Sequence, residues 1–227
     1  MHATVVVFPG SNADAELIHA LRDLVGMTTV VAWHKDADLP GPTDLIAIPG
    51  GFSYGDYLRC GAIAKVSPIM PAVRRHAERG GYVLGVCNGF QILTEAGLLP
   101  GALTRNQHLR FECRDVFVTP AADGPFTNGV SAVLRIPIAH AEGRYQADGS
   151  TLRALEDGGR IALRYCDAAG GVTPAANPNG SVASIAGIYG GPRKNVLGLM
   201  PHPERMSEPI VGGSDGRQLL DALLRAP

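Results

Sequence analysis

The segment from Tyr82 to Gly97, YVLGVCNGFQILTEAG, constrains the fold of this chain more than any other. An apolar run typical of a buried strand leads into a Gly-x-Cys-x-Gly pattern at Gly85–Gly89, and apolar residues at helical spacing follow. We expect a strand, a sharp turn that carries Cys87, and a helix, with the two glycines allowing the backbone to turn tightly. This arrangement is typical of a nucleophile elbow.

Cys87 is the predicted nucleophile of this elbow, in a strained backbone conformation. Free N–H groups and the dipole at a helix start favour a thiolate over a thiol, and the N–H of Asn88 lies where an oxyanion would form. Gln91, one helical turn further along, either turns its amide towards the same pocket or bonds a neighbouring loop. The alternative for Cys87 is a buried structural cysteine, but the glycine spacing and the strand-to-helix context favour the nucleophile.

Strands and helices alternate from the N-terminus to Pro100. The predicted elements of this part are, in chain order, a strand at 4–8, a helix at 13–25, strands at 28–33 and 44–48, a helix at 68–79 and a strand at 82–86. This order predicts an α/β fold with a doubly wound, mostly parallel sheet flanked by helices, whose ligand sites lie beyond the carboxyl ends of the strands.

The alternation fades after Pro100. Further apolar runs predict an antiparallel excursion in the C-terminal half, with strands at 109–118, 133–138, 161–165, 184–188 and 196–200. A closing helix is predicted at 214–224. The length suits one domain, residues 1–227.

Charge and composition argue against several classes of protein. A net charge of −1 gives no electrostatic basis for binding nucleic acid or an anionic membrane. No run of about eighteen apolar residues occurs, and the N-terminus lacks the charged start of a signal peptide, so we expect a cytoplasmic protein. The cysteines, at positions 60, 87, 113 and 166, form no C-x-x-C pair and the histidines no H-E-x-x-H, so we expect no metal and no disulfide framework.

The loop after the third predicted strand reads PGGFSYGDYLRCGA from Pro49 onwards. Paired glycines after a strand are commonly turn residues only. In this fold class, however, the loop lies beside the elbow, so its N–H groups are candidates for the second oxyanion donor. Cys60, also in this loop, is a weak candidate nucleophile because no strand precedes it.

A thiol nucleophile that transfers acyl groups needs a base and a group that orients the base. His202 and Glu204 follow an apolar strand, and the flanking prolines hold the segment extended, which turns residues two apart to the same side. The alternative is a surface turn that carries both side chains. His140, followed two residues later by Glu142, is the second choice for the base and a candidate for the pocket rim.

Six strings together resemble class I (triad) glutamine amidotransferases, and within them the glutaminase subunits of phosphoribosylformylglycinamidine synthase, an enzyme of purine biosynthesis. They are PGSNAD, PGGFSYGDYLRCGAIA, LGVCNGFQIL, GLLPGAL, IPIAHAEGRY and MPHPER. The resemblance covers nearly the whole chain. One departure is Ala13, where relatives often carry cysteine, and it lies outside the catalytic residues.

The resemblance implies that Cys87 attacks the side-chain amide of glutamine, with His202 as general base and Glu204 orienting it. The implied oxyanion donors are backbone N–H groups at Gly51 or Phe52 and at Asn88. The implied partners are a large synthase subunit, which uses ATP and magnesium and receives the ammonia, and a small accessory subunit. No cofactor is implied for this chain, which has no G-x-x-x-x-G-K-[ST] phosphate-binding motif.

Two other functions stay open on the sequence. The first is a stand-alone cysteine hydrolase or peptidase of the same fold, although those relatives tend to carry histidine directly after the cysteine, where this chain has Asn88. The second is a catalytically silent regulatory subunit, which the intact Cys87, His202 and Glu204 argue against. For Tyr54, Asp56 and Arg59 we expect a place on a partner surface, because polar and aromatic loop residues seldom serve a core.

Overall fold

The computed structural model describes residues 1–130 and 133–225. Its strands are β1 (His2–Val7), β2 (Thr28–Trp33), β3 (Leu45–Ile48), β4 (Tyr82–Val86), β5 (Ala102–Thr104), β6 (Glu112–Pro120), β7 (Leu134–His140), β8 (Arg144–Gln146), β9 (Ile161–Cys166), β10 (Ile185–Gly190) and β11 (Val196–Leu199). Its α-helices are α1 (Asp14–His19), α2 (Met70–Glu78), α3 (Asn88–Glu95), α4 (Gly149–Asp157) and α5 (Asp215–Ala222). The single-domain organisation over 1–227 stays a prediction.

Nine of the strands form one mixed sheet in the order β2-β1-β3-β4-β11-β10-β9-β6-β7. The pairings from β2 to β11 are parallel, and those from β11 to β7 are antiparallel. The predicted fold class is confirmed, and the antiparallel excursion proves to be a continuation of the same sheet. The carboxyl ends of β3, β4 and β11 therefore lie side by side, which is where this class of fold places its ligand sites.

The central strands are buried on both faces. All four residues of β3 are inaccessible to solvent, and β11 is buried throughout. Successive side chains of a strand point to opposite faces, so full burial means that both faces of the sheet are covered. Parallel strands of this kind read as continuous apolar runs, which is why the sequence locates them well.

Three elements of the structure were not predicted from the sequence, and one predicted helix takes a different form. The first is the helix α4, although Asp148 accepts a hydrogen bond from the backbone N–H of Thr151 at 2.7 Å and caps its start. Strands β5 and β8, which pair with each other apart from the main sheet, have three residues each and are too short to show a periodicity. The helix predicted at 13–25 is α1 followed by a π-helical turn at Ala20–Leu24.

None of the helices within the described ranges combines the length and the apolar character that crossing a bilayer requires.

Candidate active site

Cys87 lies at the junction between β4 and α3, at the carboxyl end of the parallel part of the sheet. Its backbone adopts φ 51° and ψ −102°, a conformation that non-glycine residues rarely take. The predicted strand, turn and helix are all present, and the strain falls on the cysteine itself. Only 5% of the residue is exposed, so the thiol faces a confined space.

Gly85 and Gly89 serve the elbow in a different way from the one predicted. Neither has a positive φ. A Cβ at Gly85 would lie 2.7 Å from the backbone carbon of Gly89, and a Cβ at Gly89 would lie 2.2 Å from the backbone oxygen of Ile48. The two glycines therefore allow the first turn of α3 to pack directly against β4 and β3, while Cys87 makes the sharp turn.

We expect Gly89→Ala to destabilise the protein strongly. The new methyl group would overlap a backbone oxygen of β3, which cannot rotate away, so strand and helix must separate; overpacking of this kind costs about 1–3 kcal/mol or more. Urea unfolding monitored by circular dichroism measures the change. Gly41→Ala is the matched control, because nothing lies within 4 Å of its Cβ, and equal stability of the two variants would contradict the packing explanation.

His202 and Glu204 form a buried pair just beyond the end of β11. Nδ1 of His202 lies 2.6 Å from Oε1 of Glu204, and the two side chains are 2% and 0% exposed. The backbone N–H of His202 donates to the carbonyl of Pro137 at 2.8 Å, which ties this segment to β7. The extended segment predicted from the prolines is not present: His202 has φ −101° and ψ 87°, and Glu204 lies in a 3₁₀ turn at Pro203–Met206.

The electrostatic balance at His202 favours a charged imidazole. Burial alone would lower its pKa, but the Glu204 carboxylate and the neighbouring Cys87 outweigh burial and raise the pKa well above its usual range. Nε2 of His202 accepts or donates no hydrogen bond among the described residues, and the Cys87 thiol donates to the carbonyl of Ala139 at 3.7 Å. The imidazole is thus held by its Nδ1 and leaves Nε2 available for a proton.

The loop after β3 packs against this pair. A Cβ at Gly50 would lie 2.6 Å from Cε1 of His202, so the absence of a side chain gives the imidazole its place. The N–H of Phe52 donates to the carbonyl of Gly10 at 2.8 Å, which engages one of the two predicted oxyanion donors. The N–H groups of Gly51 and Asn88 enter no hydrogen bond within the described residues, so the geometry favours Gly51 over Phe52.

The side chains of Asn88 and Gln91 link α3 to two loops. Oδ1 of Asn88 accepts from the N–H of Ser53 at 3.1 Å, and its Nδ2 donates to Oε1 of Gln91 at 2.9 Å. Nε2 of Gln91 donates in turn to the carbonyl of Glu142 at 2.6 Å. Gln91 thus does both things that the sequence left open: it borders the space next to Cys87 and bonds a neighbouring loop.

Two cavities meet at Cys87, and both are bordered by Gly51, Phe52 and Ala139. The first, of about 110 Å³, continues towards Asp56, Cys60, Gln91, His140 and Glu142. The second, of about 240 Å³, continues towards Asn12, Phe111, Cys113, His202 and Arg205. The nucleophile predicted from the sequence therefore separates a space next to His202 from a space next to His140.

A larger cavity, of about 460 Å³, lies away from these residues. It is bordered by Asp44, Gly81 and Asn195, which immediately precede β3, β4 and β11. It therefore opens at the amino ends of the strands, opposite to the end where this fold class places its sites. Choosing the candidate site by cavity volume alone would therefore have placed it at the amino ends of the strands, away from Cys87.

His140 and Cys60 border the first cavity but suit other roles than the ones considered from the sequence. His140 bonds the amide of Asn106, not a carboxylate, and burial together with the charge of His202 lowers its pKa to about 4. It lacks the orienting acid of a general base. Burial, Asp56 and Glu142 raise the pKa of the Cys60 thiol far above its usual range, so Cys60 is not an activated nucleophile.

The expected partner surface at Tyr54, Asp56 and Arg59 stays a prediction, and the structure gives the first two contacts of another kind. The hydroxyl of Tyr54 lies 2.6 Å from Nδ1 of His34 and packs inward, and Asp56 borders the first cavity. Arg59 is exposed and pairs with Glu95 at 2.6 Å. The outward-facing residues of this loop are their neighbours Tyr57 and Leu58, which are 74% and 92% exposed.

Across 1–130 and 133–225, no group of three His, Cys, Asp or Glu side chains is placed so that it could hold a metal ion.

Comparison with known proteins places the chain in a family. Residues 1–213 match the model of the CobB/CobQ-like glutamine amidotransferase domain. The chain belongs to this glutamine amidotransferase family. The solved structure of PurLQS from Thermotoga maritima contains a chain with 41% identity and a TM-score of 0.85, and the match covers 99% of this chain and 97% of that one.

Curated relatives agree with this placement. A phosphoribosylformylglycinamidine synthase subunit PurQ from Bradyrhizobium diazoefficiens is 54% identical to this amidotransferase over 98% of this chain and 97% of the relative. The protein of the same name from Gloeobacter violaceus is 53% identical over 99% and 97%. A second solved structure from Thermotoga maritima, of a glutamine amidotransferase at 16% identity and a TM-score of 0.62, shares the fold over 99% of this chain and 96% of that one.

Proposed function

We propose that the chain hydrolyses glutamine through a thioester on Cys87, with His202 as base and Glu204 as the residue that orients it. The observation that carries this proposal is the buried His202–Glu204 pair, 2.6 Å apart, beside a cysteine at a strained elbow. A positioned nucleophile, a base and a group that orients the base make up the arrangement that acyl transfer requires.

The reaction begins when Nε2 of His202 takes the proton of the Cys87 thiol and the sulfur attacks the carbon of the side-chain amide. The oxygen of that amide then becomes an oxyanion, for which the unengaged N–H groups of Gly51 and Asn88 are the donors. The imidazolium of His202 gives its Nε2 proton to the departing nitrogen, which leaves as ammonia. Water then adds to the thioester while His202 takes its proton, and glutamate leaves as the thiol re-forms.

The subunit role follows from the relatives. The proteins from Bradyrhizobium and Gloeobacter named above are subunits of phosphoribosylformylglycinamidine synthase, and this chain acts as the glutaminase subunit of that enzyme. The ammonia passes to a large synthase subunit that makes formylglycinamidine ribonucleotide, with a small accessory subunit in the same complex. We place ATP and magnesium on the large subunit.

The chain's cysteines support a cytoplasmic location. All four are free, which is typical of a reducing compartment.

Glutamate release from glutamine tests the proposal. We expect the chain to turn over glutamine in the presence of the large subunit, formylglycinamide ribonucleotide and ATP, and to work slowly alone, since free glutaminase activity would waste glutamine. Equal turnover with and without the large subunit would contradict the coupling. No turnover in either case, together with a Cys87 that resists alkylation, would favour the silent regulatory subunit.

A further inference from the structure

The end of the first cavity that lies away from His202 is acidic. Asp56 and Glu142 both border it, and the thiol of Cys60 lies beside both carboxylates. Burial, with the charge of Glu142 added, raises the pKa of Asp56. Oδ1 of Asp56 is buried and has no hydrogen-bond partner among the described residues. A buried carboxylate oxygen without a hydrogen-bond partner destabilises the folded protein unless a ligand supplies the missing donor.

No cation borders this cavity within the described residues. The cation that pairs with Glu142 is Arg105, whose Nε lies 3.6 Å from Oε1 of the carboxylate, and the Arg105 side chain is 77% exposed. An exposed ion pair of this length contributes little. The negative charge of the pocket is therefore largely uncompensated from within the protein.

His140 adds a third acceptor to this cavity, and its tautomer is fixed. Nδ2 of Asn106 donates to the carbonyls of Arg110 and His140, both at 2.9 Å, so its Oδ1 must be the acceptor. That oxygen accepts from the N–H of Gly143 at 3.2 Å and from Nδ1 of His140 at 3.1 Å. Nδ1 therefore carries the proton, and Nε2 is an acceptor.

This acceptor has no partner of its own. His140 is 3% exposed, and its Nε2 forms no hydrogen bond with any described residue. Because burial keeps the ring neutral, with a pKa of about 4, the nitrogen stays a lone-pair acceptor over the physiological range. His140, which borders the same cavity as Asp56 and Glu142, thus offers an acceptor and no charge of its own.

The other polar groups at this end are already occupied. Both ends of the Gln91 amide are used, by Asn88 and by the carbonyl of Glu142. What the cavity offers is two carboxylates and an imidazole acceptor, a set that matches a ligand with several N–H donors and a positive charge. A primary ammonium group, with three donors and no acceptor, has this chemistry.

We propose that Asp56, with Glu142 and Nε2 of His140, binds the α-ammonium group of glutamine while its side-chain amide faces Cys87. This inference rests on the proposed function and names the part of the pocket that recognises the substrate. A volume of about 110 Å³ suits part of a small extended molecule rather than a drug-sized ligand, whose pockets measure about 300–1,000 Å³. Asp56 is a binding residue in this scheme and takes no part in proton transfer.

Substrate analogues test the subsite in the complex with the large subunit, formylglycinamide ribonucleotide and ATP. Glutaramate keeps the carboxamide and the carboxylate of glutamine but has no amino group. We expect wild type to prefer glutamine over glutaramate by about 10- to 100-fold in kcat/KM, the range of a charged hydrogen bond. Asp56→Asn lowers kcat/KM for glutamine by that factor and changes glutaramate hydrolysis by less than about twofold.

The variants are chosen so that a loss of substrate binding can be distinguished from a loss of folding. Asn tolerates the positive φ of 55° at position 56 as Asp does, and Glu142→Gln is a second variant, because Gln91 bonds the backbone and not the side chain there. Asp115→Asn, which removes a half-exposed carboxylate paired with Arg135, is the matched control and should leave both substrates unchanged.

The possible results test the ammonium subsite separately from glutamine hydrolysis itself. A selective loss on glutamine in either variant supports the subsite. Equal losses on both substrates in both variants, or unchanged discrimination, would overturn it while glutamine hydrolysis stands. A wild-type preference below about twofold would overturn it in the same way. If the wild-type complex releases no glutamate, the proposed function fails, and the subsite with it.

Discussion

Replacing Cys87 with alanine is expected to lower glutamine hydrolysis by about 10⁴-fold or more, the size of effect seen when a covalent nucleophile is removed. Cys60 cannot take its place, because it is held as a thiol by burial and by two neighbouring carboxylates. Stability should change little, since the backbone of the elbow is set by the packing of Gly85 and Gly89. Glutamate release by the assembled complex and thermal unfolding of the variant measure the two quantities.

Cys166→Ala is the control for this experiment. Cys166 is as buried as Cys87, at 2% and 5% exposure, but it lies in β9 and borders neither cavity at the elbow. It should retain wild-type turnover after any loss of stability is taken into account. Retained hydrolysis in Cys87→Ala, or an equal loss in both variants, would mean that Cys87 is a structural cysteine.

The second large effect is expected from Glu204→Gln, with a loss of about 10²–10⁴-fold in kcat. Glu204 is fully buried and holds Nδ1 of His202 at 2.6 Å, so its charge both fixes the tautomer and raises the pKa of the imidazole. A glutamine removes that charge and can turn an N–H towards Nδ1. The proton of the neutral imidazole would then lie on Nε2, which must be unprotonated to act as the base. The shape of the site is otherwise kept.

A second histidine–glutamate pair supplies the matched control. Nε2 of His19 lies 3.0 Å from Oε1 of Glu208, in a partly exposed position away from the cavities. Glu208→Gln makes the same chemical change and should leave kcat within about twofold of wild type, because surface pairs contribute little. If Glu204→Gln retained full activity, or if the two variants lost activity equally, Glu204 would not be the residue that orients the base.

The fold was predictable where a local pattern determines the structure. The apolar runs of β1, β3 and β4 and the elbow are legible because burial on both faces leaves continuous apolar sequence. Elements of three residues, β5 and β8, leave no such trace. Whether the antiparallel strands join the main sheet depends on pairing between distant segments, such as Phe117 with Cys166, which no local pattern encodes.

The site divides in the same way. Cys87, His202 and Glu204 each lie in a short motif, so residue type and spacing were enough to propose them. Asp56 and Glu142 come from loops far apart in the chain and face one cavity only after folding. The sequence did single out the His-x-Glu string that contains Glu142, as a possible base and its orienting acid. In the structure, His140 of that string bonds Asn106 and not Glu142.

The strained backbone at Cys87 means that the residue required for catalysis lowers the stability of the fold. A non-glycine residue in a sparsely populated conformation costs about 1–3 kcal/mol, whereas glycine adopts a positive φ without that penalty. The most conformationally relaxed residue for position 87 is therefore one that has no thiol. In a lineage that kept the fold but no longer needed to produce ammonia, replacing Cys87 with glycine would increase stability. The resulting proteins would be more stable and would have no glutaminase activity.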